Sequence, residues 1–127
     1  MRPMPNFLLV MIGGAIGAGL RHGVGLAAPR LGEEIPWGTF IVNLTGGLIA
    51  GLLLGFLLSR GAEGEPWRLL LGVGLLGGFT TFSAFSAETA FMVQNGEFGI
   101  ALIYVLASVL GALALLFAGL WLVRAAT

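Results

Sequence analysis

The chain contains no cysteine, no lysine and a single histidine, His22. The absence of cysteine excludes disulfide bonds, thiol catalysis and cysteine-ligated metals. Because there is no lysine and the net charge is zero, no basic patch is available for a nucleic acid or an anionic lipid surface. One histidine cannot build a histidine-based metal site. Nucleic acid is therefore not expected as a partner.

Charge of either sign is also scarce. Charged residues make up 9% of the 127 residues, apolar types make up 57%, and the mean hydropathy is +1.01, whereas soluble domains are about a quarter charged. A water-soluble domain of this size leaves too much surface exposed to hide so many apolar side chains. A water-soluble enzyme, a nucleic-acid binder and a disordered tail are therefore poor fits, and we do not expect an enzyme. The composition predicts an all-α integral membrane protein with one transmembrane domain over residues 1–127.

Four apolar stretches are long enough to cross a bilayer, which takes about 20 residues each. Trp37, Trp67 and Trp121 fall near their ends, where indole rings favour the lipid–water interface. The third and fourth stretches are joined by a turn-like sequence at residues 94–97. The predicted transmembrane helices cover residues 6–28, 38–58, 69–93 and 98–123.

The arginines are spread almost evenly over the two sides of the membrane that this arrangement predicts. The positive-inside rule favours cytoplasmic termini by about two arginines, a bias small enough to permit insertion in either orientation. The side of the termini carries Arg2, Arg60, Arg68 and Arg124, and the other side carries Arg30, with Arg21 near it.

Glycine is abundant, with 22 residues, and small residues recur four apart on every predicted helix. Such spacing lets helices in lipid approach closely, either within one chain or between chains. Because four short helices can hardly enclose a polar path, we favour an oligomer. Some of the close helix contacts, which we call seams, would then lie between subunits. The seams are Gly13-Gly17, Gly47-Gly51-Gly55, Gly74-Gly78 and Ala107-Gly111.

The third helix carries polar residues at membrane depth, which are functional candidates. Residues 77–81 (GGFTT) begin about 12 Å along it. Either the helix is broken near its centre and frees carbonyl oxygens for a small cation, or it is continuous and the hydroxyls bond to its own carbonyls. Phe79, Phe82 and Phe85 recur every three residues, which would place them on one side of the helix. They face lipid or core, or, with Ser83 and Ser86 interleaved, they present ring edges and hydroxyls to a small anion.

Further polar residues lie on the other helices. The amide of Asn43 offers two donors, but an asparagine, like Tyr104 or Ser108, also commonly bonds to a neighbouring helix. Arg21 either snorkels to the interface or forms a positive vestibule. Glu88, about 28 Å along its helix, is expected near the far interface rather than deep in the membrane.

Three segments then carry a resemblance to a known family: residues 13–21 (GGAIGAGLR), 38–47 (GTFIVNLTGG) and 77–86 (GGFTTFSAFS). With them the chain resembles, over nearly its whole length, the Fluc/CrcB family of small fluoride channels. The resemblance implies an antiparallel, dual-topology homodimer in the inner membrane. It would carry two pores that passively export cytoplasmic fluoride and so confer fluoride resistance.

The resemblance also implies residue roles. Phe82 and Phe85 would form an aromatic box around fluoride, and Asn43 would donate to the ion. A polar track would use Ser83, Thr39 and Ser108, and Arg21 would face the aqueous vestibule. The backbone carbonyls of Gly77 and Thr80 from both chains would hold one central, structural Na⁺. Ala112 stands where some relatives are expected to have serine, which would leave the hydroxyl track incomplete.

Two other functions remain open from the residues alone. A small four-helix multidrug transporter should carry a deep acidic residue in its first helix, and residues 6–28 contain none. A non-transporting membrane scaffold would not need the pattern of hydroxyls and phenylalanines in the third helix.

Overall fold

The computed structural model describes residues 3–28, 35–59 and 65–126, and every regular element in these ranges is helical. Four helical stretches are long and apolar enough to cross a membrane, as the composition predicts, so the chain is a multi-pass membrane protein. The elements are α1 (Pro3–Ala27), α2 (Trp37–Leu58), α3 (Glu65–Trp67), a π-helical segment π1 (Arg68–Leu76), α4 (Gly77–Phe79), α5 (Phe82–Gln94) and α6 (Phe98–Ala126). Arg2, Arg30 and Arg60, which enter the comparison of charge across the membrane, lie outside the described residues.

Local chemistry sets several helix ends. Pro36 precedes the first residue of α2, where its missing N–H costs no helical hydrogen bond. Between α5 and α6, Gly96 adopts a left-handed φ of +79°, which glycine tolerates without strain. The Gly96 N–H donates to the Val93 carbonyl at 3.0 Å and the Glu97 N–H to the Met92 carbonyl at 2.9 Å. This tight turn makes α5 and α6 antiparallel neighbours.

Helix α1 packs backbone to backbone against the third span, which runs over Glu65–Gln94. A β-carbon at Gly13 would overlap the carbonyl oxygen of Leu70, and one at Gly17 would overlap that of Leu75. On the facing helix, a β-carbon at Gly78 would overlap the backbone of Gly14. These glycines therefore fix the position of α1 along the third span.

Helices α2 and α6 meet in the same way. A β-carbon at Gly51 would overlap the carbonyl of Leu116, and one at Gly47 would lie 2.7 Å from the carbonyl oxygen of Ala112. The backbone of α6 fills the space beside these glycines. They therefore serve a contact within the chain and leave no space there for a helix of another chain. The expectation that some seams lie between subunits is thus not met at these positions, and a second copy would have to use other surfaces.

The third span changes its helical form twice. Nine residues form π1, a geometry that is rare and usually limited to one turn. After α4 the backbone is extended at Thr80 (φ −83°, ψ 156°) and Thr81 (φ −147°, ψ 124°), and helical geometry resumes at Phe82. Just beyond this point, Phe85 and Met92 of α5 form a buried cluster with Ala101 and Tyr104 of α6.

Candidate functional site

The extended residues Thr80 and Thr81 form the centre of the candidate site. The Thr81 hydroxyl accepts a hydrogen bond from the Ala84 N–H at 3.2 Å, so Thr81 caps the start of α5. The Thr80 hydroxyl donates to the carbonyl of Leu76 at 2.8 Å, which secures the preceding turn. The threonine side chains thus support the ends of the two helices that they separate.

Asn43 on α2 holds the backbone of Thr81 with both ends of its amide. Its Nδ2 donates to the Thr81 carbonyl at 3.3 Å, and its Oδ1 accepts from the Thr81 N–H at 3.1 Å. The side chain therefore serves as the hydrogen-bond partner that an extended residue lacks inside a helix. One Nδ2 hydrogen makes this bond, and the amide has a second one for another acceptor.

The hydrogen bonds of Asn43 and of the Thr81 hydroxyl use two N–H groups that would otherwise donate to carbonyls within a helix. In an α-helix a carbonyl accepts from the N–H four residues later. The Thr81 N–H, which would serve Gly77, donates to Asn43, and the Ala84 N–H, which would serve Thr80, donates to the Thr81 hydroxyl. The carbonyls of Gly77 and Thr80, which the family resemblance assigns to a cation, thereby lose their usual donors.

Arg21 on α1 contacts the backbone of the same region. Its Nε donates to the Gly78 carbonyl at 3.2 Å, and the contact is partly buried. The guanidinium is therefore engaged with the backbone just before the extended residues.

Phe82 and Phe85 both lie on α5, with ring centroids 6.0 Å apart and planes tilted by 47°. Phe82 is 79% exposed, whereas Phe85 is 9% exposed and packs on Tyr104 with centroids 5.2 Å apart. Phe79 ends α4 before the extended residues. The expectation that the three rings share one side of the third helix is not met for Phe79, because the helical repeat stops between Phe79 and Phe82.

Two residues that the sequence does not predict for the site, Glu88 and Tyr104, contact residues that it does predict: Glu88 bonds to Thr39, and Tyr104 packs on Phe85. The Thr39 hydroxyl donates to Glu88 Oε1 at 2.6 Å. Within the described part of the chain, Glu88 Oε2, the Tyr104 hydroxyl and the Ser108 hydroxyl are buried without a hydrogen-bond partner. The signal that was missed is topological. Thr39 lies in the first turn of α2 and Glu88 lies late in the third span, which runs antiparallel to α2, so the two residues meet at the same end of the bundle.

A cavity of about 620 Å³ brings many of these groups together. Its lining combines leucines and glycines of α2 and π1 with polar and aromatic residues. Of the residues predicted for the site, it is lined by Asn43, Gly77, Thr80, Phe82, Phe85 and Ser108, and Ala112 also lines it.

The remaining predicted residues lie elsewhere. Thr39 pairs with Glu88, and Ser83 is exposed with its hydroxyl 3.4 Å from that of Thr81. Arg21 lies on the Gly78 carbonyl. Over residues 3–28, 35–59 and 65–126, no cluster of three or more His, Cys, Asp or Glu side chains could hold a metal ion. A cation at this site would have to bind neutral oxygens, from the backbone, the hydroxyls or the Asn43 amide.

Comparison with known proteins places the chain in a family. The profile of "CrcB-like protein, Camphor Resistance (CrcB)" matches residues 8–120, which is most of the chain. The chain belongs to the CrcB family. The resemblance found in the sequence is thus confirmed.

Several relatives match this CrcB-family chain along almost its full length. A protein of Nitrobacter hamburgensis named "Fluoride-specific ion channel FluC 2" is 48% identical over 120 residues, covering 94% of this chain and 97% of the relative. "Fluoride-specific ion channel FluC" of a Caulobacter species (strain K31) is 54% identical over 95% of this chain and 96% of the relative. The protein of the same name from Hyphomonas neptunium is 55% identical over 95% and 97%. These relatives are named as ion channels and not as enzymes.

Proposed function

We propose that the chain is a fluoride-selective, passive ion channel. The observation that carries the proposal is the cavity that Asn43, Phe82, Phe85 and Ser108 line together. Relatives at about half identity that are named fluoride-specific channels support the choice of ion. No acidic relay or nucleotide-binding motif that would drive transport is recognisable in the sequence.

The lining suits an ion that is small and strongly hydrated. A channel must replace the hydration shell with oriented partners and still release the ion. An amide, hydroxyls and positive ring edges provide moderate fields, whereas a buried lysine would hold the anion too firmly. Among the residues that the structure describes, none is a hydrogen-bond partner of the buried Ser108 and Tyr104 hydroxyls. Since an unmade buried hydrogen bond is costly, we expect an ion or water in the cavity that Ser108 lines to satisfy the Ser108 hydroxyl.

We place the working channel in the inner membrane as an antiparallel, dual-topology homodimer with two pores that export cytoplasmic fluoride. A single chain leaves Phe82 79% exposed beside the cavity, and a second copy would cover it. The small bias of the arginines across the membrane supports insertion in both orientations. Export would matter in acid, where neutral HF enters a cell and dissociates there.

The carbonyls of Gly77 and Thr80 are the groups that would hold a structural Na⁺. They are hard, uncharged oxygen ligands, and their helical donors are diverted to Asn43 and to the Thr81 hydroxyl. Two carbonyls from one chain are too few to surround a cation, so the fit improves if two antiparallel copies bring both pairs together. Bound there, the ion would join the two chains through their backbones.

The test is fluoride efflux from liposomes that contain the purified protein, followed with a fluoride electrode, with chloride efflux as the control. We expect rapid fluoride loss while chloride is retained. Retention of both ions by vesicles containing a well-folded protein would reject the channel and favour a non-transporting scaffold.

The alternative of a multidrug transporter is disfavoured because α1 has no Asp or Glu. Transport of an organic cation in the same vesicles would favour it again.

A further inference from the structure

The contact between Arg21 and Gly78 replaces a helical hydrogen bond that the third span cannot make. The N–H four residues after Gly78 belongs to Phe82, which begins α5 beyond the two extended residues. Arg21 Nε donates to the Gly78 carbonyl in its place, at 3.2 Å and across 57 positions of sequence. The last carbonyls of a helix carry partial negative charge, which a guanidinium stabilises.

The packing of α1 delivers Arg21 to this carbonyl. Gly17, one turn earlier, lies against the carbonyl of Leu75 and 2.7 Å from the Phe79 nitrogen, measured from the β-carbon position that glycine leaves empty. Gly14 meets Gly78 directly through backbone atoms. Because backbone contacts set this register, the reach of the arginine side chain to Gly78 is fixed by the fold.

We propose that Arg21 is a positioning residue: its Nε–H bond holds the end of α4 and thereby the Gly77 and Thr80 carbonyls on either side of Gly78. It acts on the cation site through the backbone rather than on fluoride through its charge. This inference rests on the proposed function for its flux measurements, but the bond itself can be tested without transport.

Two substitutions separate the donor from the charge. In Arg21→Gln the amide nitrogen is the same number of bonds from the backbone as Nε, so the donor stays and the charge is lost. In Arg21→Lys the charge stays, but the nitrogen lies one bond further out. Arg21→Met, which lacks both, takes the place of the lysine variant if that variant does not fold. His22→Gln is the neighbouring control, because His22 is exposed on the same helix.

Two properties are measured for each variant. The first is the Na⁺ concentration that half-maximally supports fluoride efflux. The second is amide hydrogen exchange, in detergent, of peptides that cover residues 77–84. We expect Arg21→Lys to raise the half-maximal Na⁺ concentration and the exchange rate severalfold, up to about tenfold, since one ordinary protein hydrogen bond is worth up to about that factor. Arg21→Gln and His22→Gln should stay within about twofold of the unaltered protein.

The proposal is overturned if Arg21→Lys behaves normally, or if Arg21→Gln is impaired. An impairment of Arg21→Gln that grows at low ionic strength would show that the charge attracts anions, since such attraction is screened by salt. If the unaltered protein passes no fluoride, the proposed function fails, and the exchange rates still decide whether Arg21 holds the end of α4.

Discussion

Asn43 supplies both hydrogen bonds of the Thr81 backbone with one side chain. Asn43→Ala would leave a donor and an acceptor unpaired, and each such loss costs about 1–3 kcal/mol when the group is shielded from water. We expect a lower thermal midpoint in detergent and loss of fluoride efflux. Asn95→Ala, at an exposed turn, is the matched control. An Asn43→Ala protein as stable as the control would contradict the role of the Asn43 amide in holding the Thr81 backbone.

Phe82 is the exposed ring beside the cavity, and its aromatic edge is the feature that the proposed channel needs. Phe82→Ile keeps an apolar side chain but removes the ring quadrupole. We expect fluoride efflux to fall about tenfold, corresponding to about 1.4 kcal/mol, with an unchanged elution profile of the protein. Phe91→Ile changes a ring on the same helix that is 66% exposed and does not line the cavity, and its efflux should be normal. Equal efflux from both variants would remove Phe82 from the pathway.

At the scale of elements, the four long helices are predictable because each depends on its own apolar run and its own ends. The extended residues in the third span are not, because GGFTT permits both a continuous and an interrupted helix. What favours the interruption is the amide of Asn43, 38 positions away. The pairing of Thr39 with Glu88 likewise joins residues 49 positions apart, and helical rise counted from Leu69 does not reveal it.

The close approach of α1 to the third span gives a prediction that compares two glycines of one helix. Gly17→Ala would drive a methyl group into the backbone of Leu75, and overpacking of this kind costs about 1–3 kcal/mol. Gly19 has nothing within 4 Å of the same position, so Gly19→Ala should be neutral or gain up to about 1 kcal/mol from helix propensity. Denaturation in detergent measures both. Equal stability of the two variants would contradict the backbone contact.

For the whole molecule, the surfaces that pack within the chain are separate from the face that carries the cavity. Glycine seams join α1 to the third span and α2 to α6 within the chain, while the cavity with Asn43, Phe82 and Thr80 lies between α2, the third span and α6. A second copy that covers this face would extend the site without disturbing either seam. Sequence spacing alone cannot assign a seam to one chain or two, because glycines four apart serve both kinds of contact.

The cation proposed to join the two chains can be removed without altering a residue. Backbone carbonyls of Gly77 and Thr80 cannot be mutated away, so Na⁺ is replaced throughout purification by a large organic cation at constant ionic strength. Because a ligand that binds the assembled form stabilises it by mass action, we expect the dimer to dissociate at a higher protein concentration and to recover when Na⁺ is restored. Light scattering over a dilution series measures the change. K⁺ at the same concentration is the control for ionic size, and a dissociation curve that is the same in all three salts would reject a structural sodium ion.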